Sequence, residues 1–337
     1  MISSDGYPRI TLAFTDPDLP AVVPYGYAKY SDFKEMARGG RAVLWSCWDS
    51  IMGRPVALKA LLPQFAQDEK ERRRFLREAR VTAQLQHPHT VPVYEIGRDD
   101  KGCLYFTMKM IRGEDTFKIL RRLAAGDRET RRDYTLDHLL VIVIQAGQAL
   151  GYSHAHGVIH RDVKPENIWV GRFGEVILLD WGVAKVVGEQ MPEEEEESPD
   201  DSVAHVLARS EKQALDEALT QTGQRPGTPL YMSPEQVLAP GSVDARSDVF
   251  NLGVVLYEMI AFKEPFRGRT VAETFERIAT ADPVPPSVQA PEEDIPEELE
   301  AIVLKALQKK PADRHQSMEE LIDAVREVRR GLYRSTD

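Results

Sequence analysis

His160-Arg161-Asp162-Val163-Lys164-Pro165-Glu166-Asn167 is the stretch on which the reading of this chain turns. It carries a carboxylate, an ammonium group and a carboxamide close together, and Pro165 restricts the loop by fixing its own backbone torsion. A short, stiff loop sets Asp162 and Asn167 on one wall. A His-Arg-Asp tripeptide alone is common in ordinary surface loops. The pattern completed by Lys164 and Asn167 is far rarer, and Asp180-Trp181-Gly182 follows thirteen residues after Asn167.

These segments resemble the catalytic loop H-R-D-L-x-x-x-N and the magnesium-binding triplet of the bacterial, Hanks-type Ser/Thr protein kinases, with Val163 for Leu and Trp181 for Phe. The resemblance implies that Asp162 accepts the proton of a substrate hydroxyl and that Lys164 steadies the developing charge. Asn167 and Asp180 would then hold Mg2+ on the phosphates of ATP. Trp181 keeps an apolar plug, and its indole N–H needs a partner if buried.

Working outward toward the N-terminus, Val56-Ala57-Leu58-Lys59 resembles the family strand whose lysine meets the α- and β-phosphates. Glu78 lies on a segment whose Phe75, Leu76, Ala79 and Val81 form an approximate helical apolar stripe, so a Lys59–Glu78 ion pair is expected. The other face of that helix is basic, with Arg72, Arg73, Arg74, Arg77 and Arg80. Ala37-x-Gly39-x-x-Ala42 stands where the family carries G-x-G-x-x-G over the phosphates. Only Gly39 is kept, so phosphate approach is crowded rather than blocked. Leu44 and Ala57 would line the nucleotide site. Met108 takes the gatekeeper position, with Lys109 to Ile111, Met110 among them, as the hinge that reads adenine through its backbone. Glu114 or Asp115 would hold the ribose. Trp169 replaces a branched aliphatic residue beneath adenine, filling core or stacking on the base.

Toward the C-terminus, the segment from Asp180 to Glu235 is longer than the family norm. It contains the run Glu193–Glu197, a helix expected over 203–219, and Thr220 and Thr222 as phosphorylation candidates. Gly227-Thr228-Pro229-Leu230-Tyr231-Met232-Ser233-Pro234-Glu235 resembles the family's substrate loop, in which Thr228 favours Ser/Thr acceptors. Glu235 is expected to pair with Arg314, and Asp248 to anchor the catalytic loop from a buried helix. The Glu193–Glu197 run and the basic helix face are complementary, although a solvated loop is the simpler reading.

Composition is compatible with this reading. At 337 residues, 42% hydrophobic and 29% charged, the chain can bury a sizeable core, and a net charge of −11 argues against broad nucleic-acid binding. Cys47 and Cys103 form no disulfide framework, which fits a reducing cytoplasm. The N-terminus lacks a signal-peptide pattern, and no apolar run reaches the ~18 residues of a membrane span. The fold class expected is α+β: a two-lobed protein-kinase fold. Residues 1–28 form an irregular extension with a short strand at Ile10–Phe14. Residues 29–112 form a small five-stranded lobe with one helix, and 113–335 a larger, mainly helical lobe. The expected partners are ATP and a protein bearing Ser or Thr, with a homodimer left open. The alternative is a pseudokinase that keeps the fold as a nucleotide-binding or scaffold module.

Overall fold

The computed structural model of the protein describes residues 24–187 and 228–334. The Ile10–Phe14 segment, the Glu193–Glu197 run, the helix over 203–219, and Thr220 and Thr222 lie outside the described residues. The chain forms two compact units. Of the described residues, one takes those up to Ala79 and then Pro92–Ile111; the other takes Arg80–Val91 and those from Arg112 onward.

The first unit holds a five-stranded antiparallel sheet, β1 (Tyr30–Arg38), β2 (Ala42–Asp49), β3 (Arg54–Leu61), β4 (Val93–Arg98) and β5 (Leu104–Lys109), in the order β1-β2-β3-β5-β4. Side-chain alternation gives β3 two distinct faces. Val56 and Leu58 turn to one face and are buried with Tyr30, Cys47 and Tyr105. On the other face Leu61 and Phe106 pack with Phe75 and Ala79 of helix α1 (Glu69–Gln84), and the Phe75 and Phe106 rings lie 5.3 Å apart. Burial of such large apolar side chains, about 1.5–3 kcal/mol each, fixes the helix on the sheet. The helix starts where Asp68 accepts the Glu71 N–H at 3.1 Å. Gly97 has a steric reason to be glycine, since a Cβ there would come within 2.6 Å of the Tyr105 hydroxyl on the neighbouring strand.

The second unit is mainly helical. After β6 (Glu114–Asp115) come α2 (Thr116–Ala124), α3 (Arg128–Asp133) and α4 (Leu136–Ala155), then the short strands β7 (Val158–Ile159), β8 (Ile168–Val170), β9 (Val176–Leu178) and β10 (Lys185–Val186). The chain resumes with α5 (Pro234–Leu238), α6 (Ala245–Ala261), α7 (Val271–Thr280), α8 (Pro286–Gln289), α9 (Glu297–Ala306) and α10 (Met318–Arg334). Helices α4 and α6 form the centre of the core, with Leu140, Ile142, Phe250, Leu252 and Tyr257 fully enclosed. Residues 127–133, a segment dense in charge, contain α3. The Asp127 side chain caps it by accepting the Thr130 N–H at 2.8 Å. Helix α4 stops at Gly157, whose φ of +70° suits glycine and whose N–H reaches the His154 carbonyl at 2.9 Å. Among the described residues no helix is long and apolar enough to cross a membrane.

Candidate active site

In the sheet unit the strand register decides which side chains share a face. Ala37 pairs with Leu44, Leu44 with Lys59, Ala42 with Leu61, and Ala57 with Met108. Residues opposite one another, or two apart on a strand, point the same way, so all of these lie on the face that carries α1. There the Lys59 ammonium makes an ion pair with Glu78, with side chains 26% and 15% exposed. At the β1–β2 turn the Gly39 N–H bonds the Ala42 carbonyl at 2.9 Å. A Cβ on Gly39 would meet only that carbonyl oxygen, at 3.6 Å, so the turn itself places no steric demand for glycine.

In the helical unit, the loop between β7 and β8 is pinned from below by Asp248 of α6. This fully buried carboxylate accepts the N–H groups of His160 and Arg161, each at 2.8 Å, and meets His154 Nε2 at 2.7 Å. Burial alone would raise its pKa, but the His154 bond and the backbone donors hold it below the usual carboxylate range. The pinned backbone adopts an uncommon conformation at Arg161, with φ +68°.

Above this anchor the polar groups converge. Lys164 Nζ lies 2.8 Å from Asp162 Oδ2, and Asn167 Nδ2 donates to that oxygen at 3.0 Å and to the Asp162 carbonyl at 2.8 Å. Burial pushes the Asp162 carboxyl up, with Lys164 opposing and the negative charge of Asp180 adding to the rise. Burial works against the Lys164 ammonium, but Asp162 and Asp180 outweigh it and keep its pKa above the ordinary lysine value. The antiparallel pairing of Ile168 with Leu178, and the 2.8 Å bond from Leu179 N–H to the Asn167 carbonyl, bring Asn167 beside the end of β9. Asp180 follows at once, exposed and at φ +65°, with one oxygen 3.2 Å from the Gly182 N–H.

Among the described residues no cluster of three or more His, Cys, Asp or Glu side chains has the form of a metal cage. Asn167 and Asp180, on neighbouring backbone, could together supply two side-chain oxygens, the modest protein share that would suit Mg2+ completed by waters and phosphate oxygens. Trp181 is buried, with its ring 4.5 Å from that of His160 and its indole N–H without a partner among the described residues.

The protein kinase domain model matches residues 30–324 of the chain. The chain belongs to the protein kinase family. It is 33% identical over 302 residues to the serine/threonine-protein kinase PknD of Protochlamydia amoebophila, covering 87% of this chain and 29% of that protein. It is 34% identical to PknD of Chlamydia pneumoniae, with 88% and 31% covered. With SCO3848 of Streptomyces coelicolor it shares 35% identity, covering 85% and 38%. The kinase chain thus spans about a third of the length of the curated relatives it matches. They place it with the bacterial, Hanks-type Ser/Thr kinases, and the α+β division into a sheet unit and a helical unit agrees. The pseudokinase alternative is not supported, since these relatives include named Ser/Thr kinases.

Within this kinase, Arg314 and Glu235 form a two-pronged buried pair at 2.7 and 2.8 Å, and Ser247 donates to the same carboxylate at 2.6 Å. Burial would raise the Glu235 pKa, yet the Arg314 guanidinium holds it below the ordinary range. Asp115 has structural duties: its oxygens accept the Lys118 N–H at 3.0 Å and meet the Lys118 ammonium at 2.8 Å, capping α2. Trp169 pairs with Asp115 and Ile177, half-buried, with the Lys118 ammonium 5.9 Å from its ring centre. Three polar side chains not picked out from the sequence also join the region. Glu258 accepts the Tyr231 hydroxyl at 2.6 Å, with its carboxyl pushed by burial to about 8. Gln236 and Asn251 join each other at 2.9 Å. A polar residue one turn from Asp248 on a buried helix was the available signal for Asn251.

Proposed function

We propose that this kinase transfers the γ-phosphoryl group of ATP to a Ser or Thr hydroxyl of a protein. The observation that carries the proposal is the meeting of Asp162, Lys164 and Asn167 within 3.0 Å on one loop, beside the strand that delivers Asp180. The acceptor oxygen attacks the γ-phosphorus, the bond from that phosphorus to the β,γ-bridging oxygen breaks, and ADP leaves. Asp162 orients the hydroxyl and takes its proton, and Lys164 steadies the charge that develops on the transferred group. Lys59, held by Glu78, positions the α- and β-phosphates. Asn167 and Asp180 would hold Mg2+, which would supply positive charge to offset that of the phosphates.

Ala37, Gly39, Ala42 and Leu44 would cover the nucleotide, with Ala57, Met108, Met110 and Trp169 around the base. A glycine that its own turn does not require is consistent with close approach of phosphate at Gly39. Thr228 selects the acceptor, and phosphorylation of Thr220 or Thr222 supplies an anion for Arg161. The proposed setting is the cytoplasm. Self-association through the sheet unit is read separately, by sedimentation equilibrium.

Incubation with γ-labelled ATP and magnesium tests the reaction. Asp162→Asn keeps the shape and removes the proton acceptor, so label transfer should fall by about 10²–10⁴-fold. Equal incorporation by both proteins would overturn the proposal.

A further inference from the structure

We infer that Gln236 is a positioning residue for phosphoryl transfer: its carboxamide holds the backbone carbonyl of Arg161, and through that peptide it sets where Asp162 stands. The inference rests on the assignment of Asp162 as proton acceptor. Arg161, at φ +68°, occupies a backbone region that a residue with a Cβ leaves unless its surroundings over-determine it. Both of its backbone polar groups are gripped by side chains. Asp248 Oδ1 accepts its N–H at 2.8 Å, and Gln236 Nε2 donates to its carbonyl at 2.7 Å. The peptide plane that leads into Asp162 is therefore fixed by α6 on one side and α5 on the other.

The orientation of the Gln236 carboxamide is itself determined. Its Oε1 accepts the Ser233 N–H at 3.0 Å and Asn251 Nδ2 at 2.9 Å, so the opposite flip would set donor against donor. Asn251 is buried, and it also donates to the Tyr231 carbonyl. Asp248 and Asn251 sit one turn apart on α6 and share the work: one holds Arg161 directly, the other through Gln236. Residues 231–236, which end the segment read as the substrate loop, are thus joined by hydrogen bonds to the backbone beside the proton acceptor. Displacement of that segment is felt at Asp162, whereas neither Asn167 nor Asp180 hangs on the Gln236 contact.

Gln236→Glu tests this with little change of shape. It keeps an acceptor for Ser233 and Asn251, loses the donor to Arg161 and adds a charge. With ATP, magnesium and casein, label transfer to casein and to the kinase is counted together, and kcat, the KM for ATP and the thermal midpoint are measured. The expected result is a kcat lowered about tenfold, the scale of one lost buried hydrogen bond, with KM and midpoint nearly unchanged. Gln236→Met, of similar length and uncharged, should give the same split, which separates loss of the donor from gain of a charge. A kcat within about twofold of the parent in both variants, alongside an inactive Asp162→Asn protein, overturns the inference and leaves the assignment of Asp162 standing. A rise in KM matching the fall in kcat, or a collapse of the midpoint in both variants, also overturns it. An active Asp162→Asn protein overturns the assignment itself, whatever the Gln236 variants do.

Discussion

Arg314–Glu235 and Lys59–Glu78 each join a cation to a carboxylate across the sequence, but their surroundings differ. All five N–H donors of Arg314 are used: two on the Glu235 oxygens, and the rest on the carbonyls of Gln308, Arg246 and Lys309. The guanidinium is 0% exposed and its partner 8%. The Lys59 and Glu78 side chains remain 26% and 15% exposed, on a sheet face shared with small residues at positions 37, 42 and 57. A sealed pair has no free N–H left and no exposure through which a ligand could reach it, so its contribution is to the fold. A pair left partly open retains charge that a phosphate can use.

Breaking the sealed pair should produce the largest effect on stability. Arg314→Met leaves Glu235 buried without its cation, at a cost of about 3–5 kcal/mol, or roughly ten degrees of the unfolding midpoint. Calorimetry measures it, with label transfer assayed at low temperature on the folded fraction. The sign with pH follows from the lowered Glu235 pKa. Stability from the pair is present above the ordinary carboxylate range and is lost as pH falls through the folded value. In Arg314→Met that acid-dependent loss should shrink. If Arg314→Met unfolds no more easily than the parent, the contrast between the two pairs fails.

Lys59→Met should show the reverse pattern. Loss of a charge aimed at phosphate is expected to slow transfer by about 10²–10³-fold, while unfolding free energy changes by no more than ~1 kcal/mol. Parallel rate and calorimetric measurements decide it. A stability loss as large as that of Arg314→Met would make Lys59–Glu78 a scaffold pair as well.

How much of this was legible in the sequence depends on the distance over which each contact is specified. The catalytic loop was readable because Asp162, Lys164 and Asn167 meet within one short segment, so spacing nearly determines geometry. The likeness of Val56–Lys59 to the family strand and the apolar stripe of Phe75 and Ala79 carried the sheet face and its helix. The pairing of Arg314 with Glu235 followed from the family resemblance rather than from any local pattern. The short helix Arg128–Asp133 was hidden because its start depends on one Asp127 cap within a uniformly charged segment. Gln236 and Glu258 were hidden for another reason. Each acts on a backbone or hydroxyl group brought to it only by the packing of α5 and α6, and no spacing rule encodes that.

Glu258 sharpens the contrast between paired and unpaired charge, because it is a buried acid whose hydrogen-bond partner, the Tyr231 hydroxyl, is neutral. With its folded pKa near 8, above the ordinary glutamate value, the folded protein binds this proton more tightly than the unfolded chain. Stability from this group is therefore full below the ordinary range and declines as pH rises toward about 8. Glu258→Gln should remove that decline, so that parent and variant diverge progressively as pH rises from the ordinary glutamate range to about 8 and run parallel above it. Denaturant titrations at several pH values measure it. Curves parallel across that range would show that Glu258 does not titrate there.

Trp181 should give the smallest effect, and it inverts the Arg314 case. Arg314 is buried with every donor filled, whereas Trp181 is 1% exposed with its one donor unfilled among the described residues. An orphaned buried N–H costs about 1–3 kcal/mol, and the apolar burial of the larger ring contributes a similar amount in the opposite direction. Trp181→Phe removes the unfilled donor along with part of the ring, and its small cavity offsets the relief. The unfolding free energy should stay within about 1 kcal/mol of the parent, and transfer should be retained because Asp180 and its contact with the Gly182 N–H are untouched. A loss well beyond that, measured by denaturant titration, would mean that the indole N–H has a partner in solution, and that Trp181 belongs with Arg314 among the satisfied anchors.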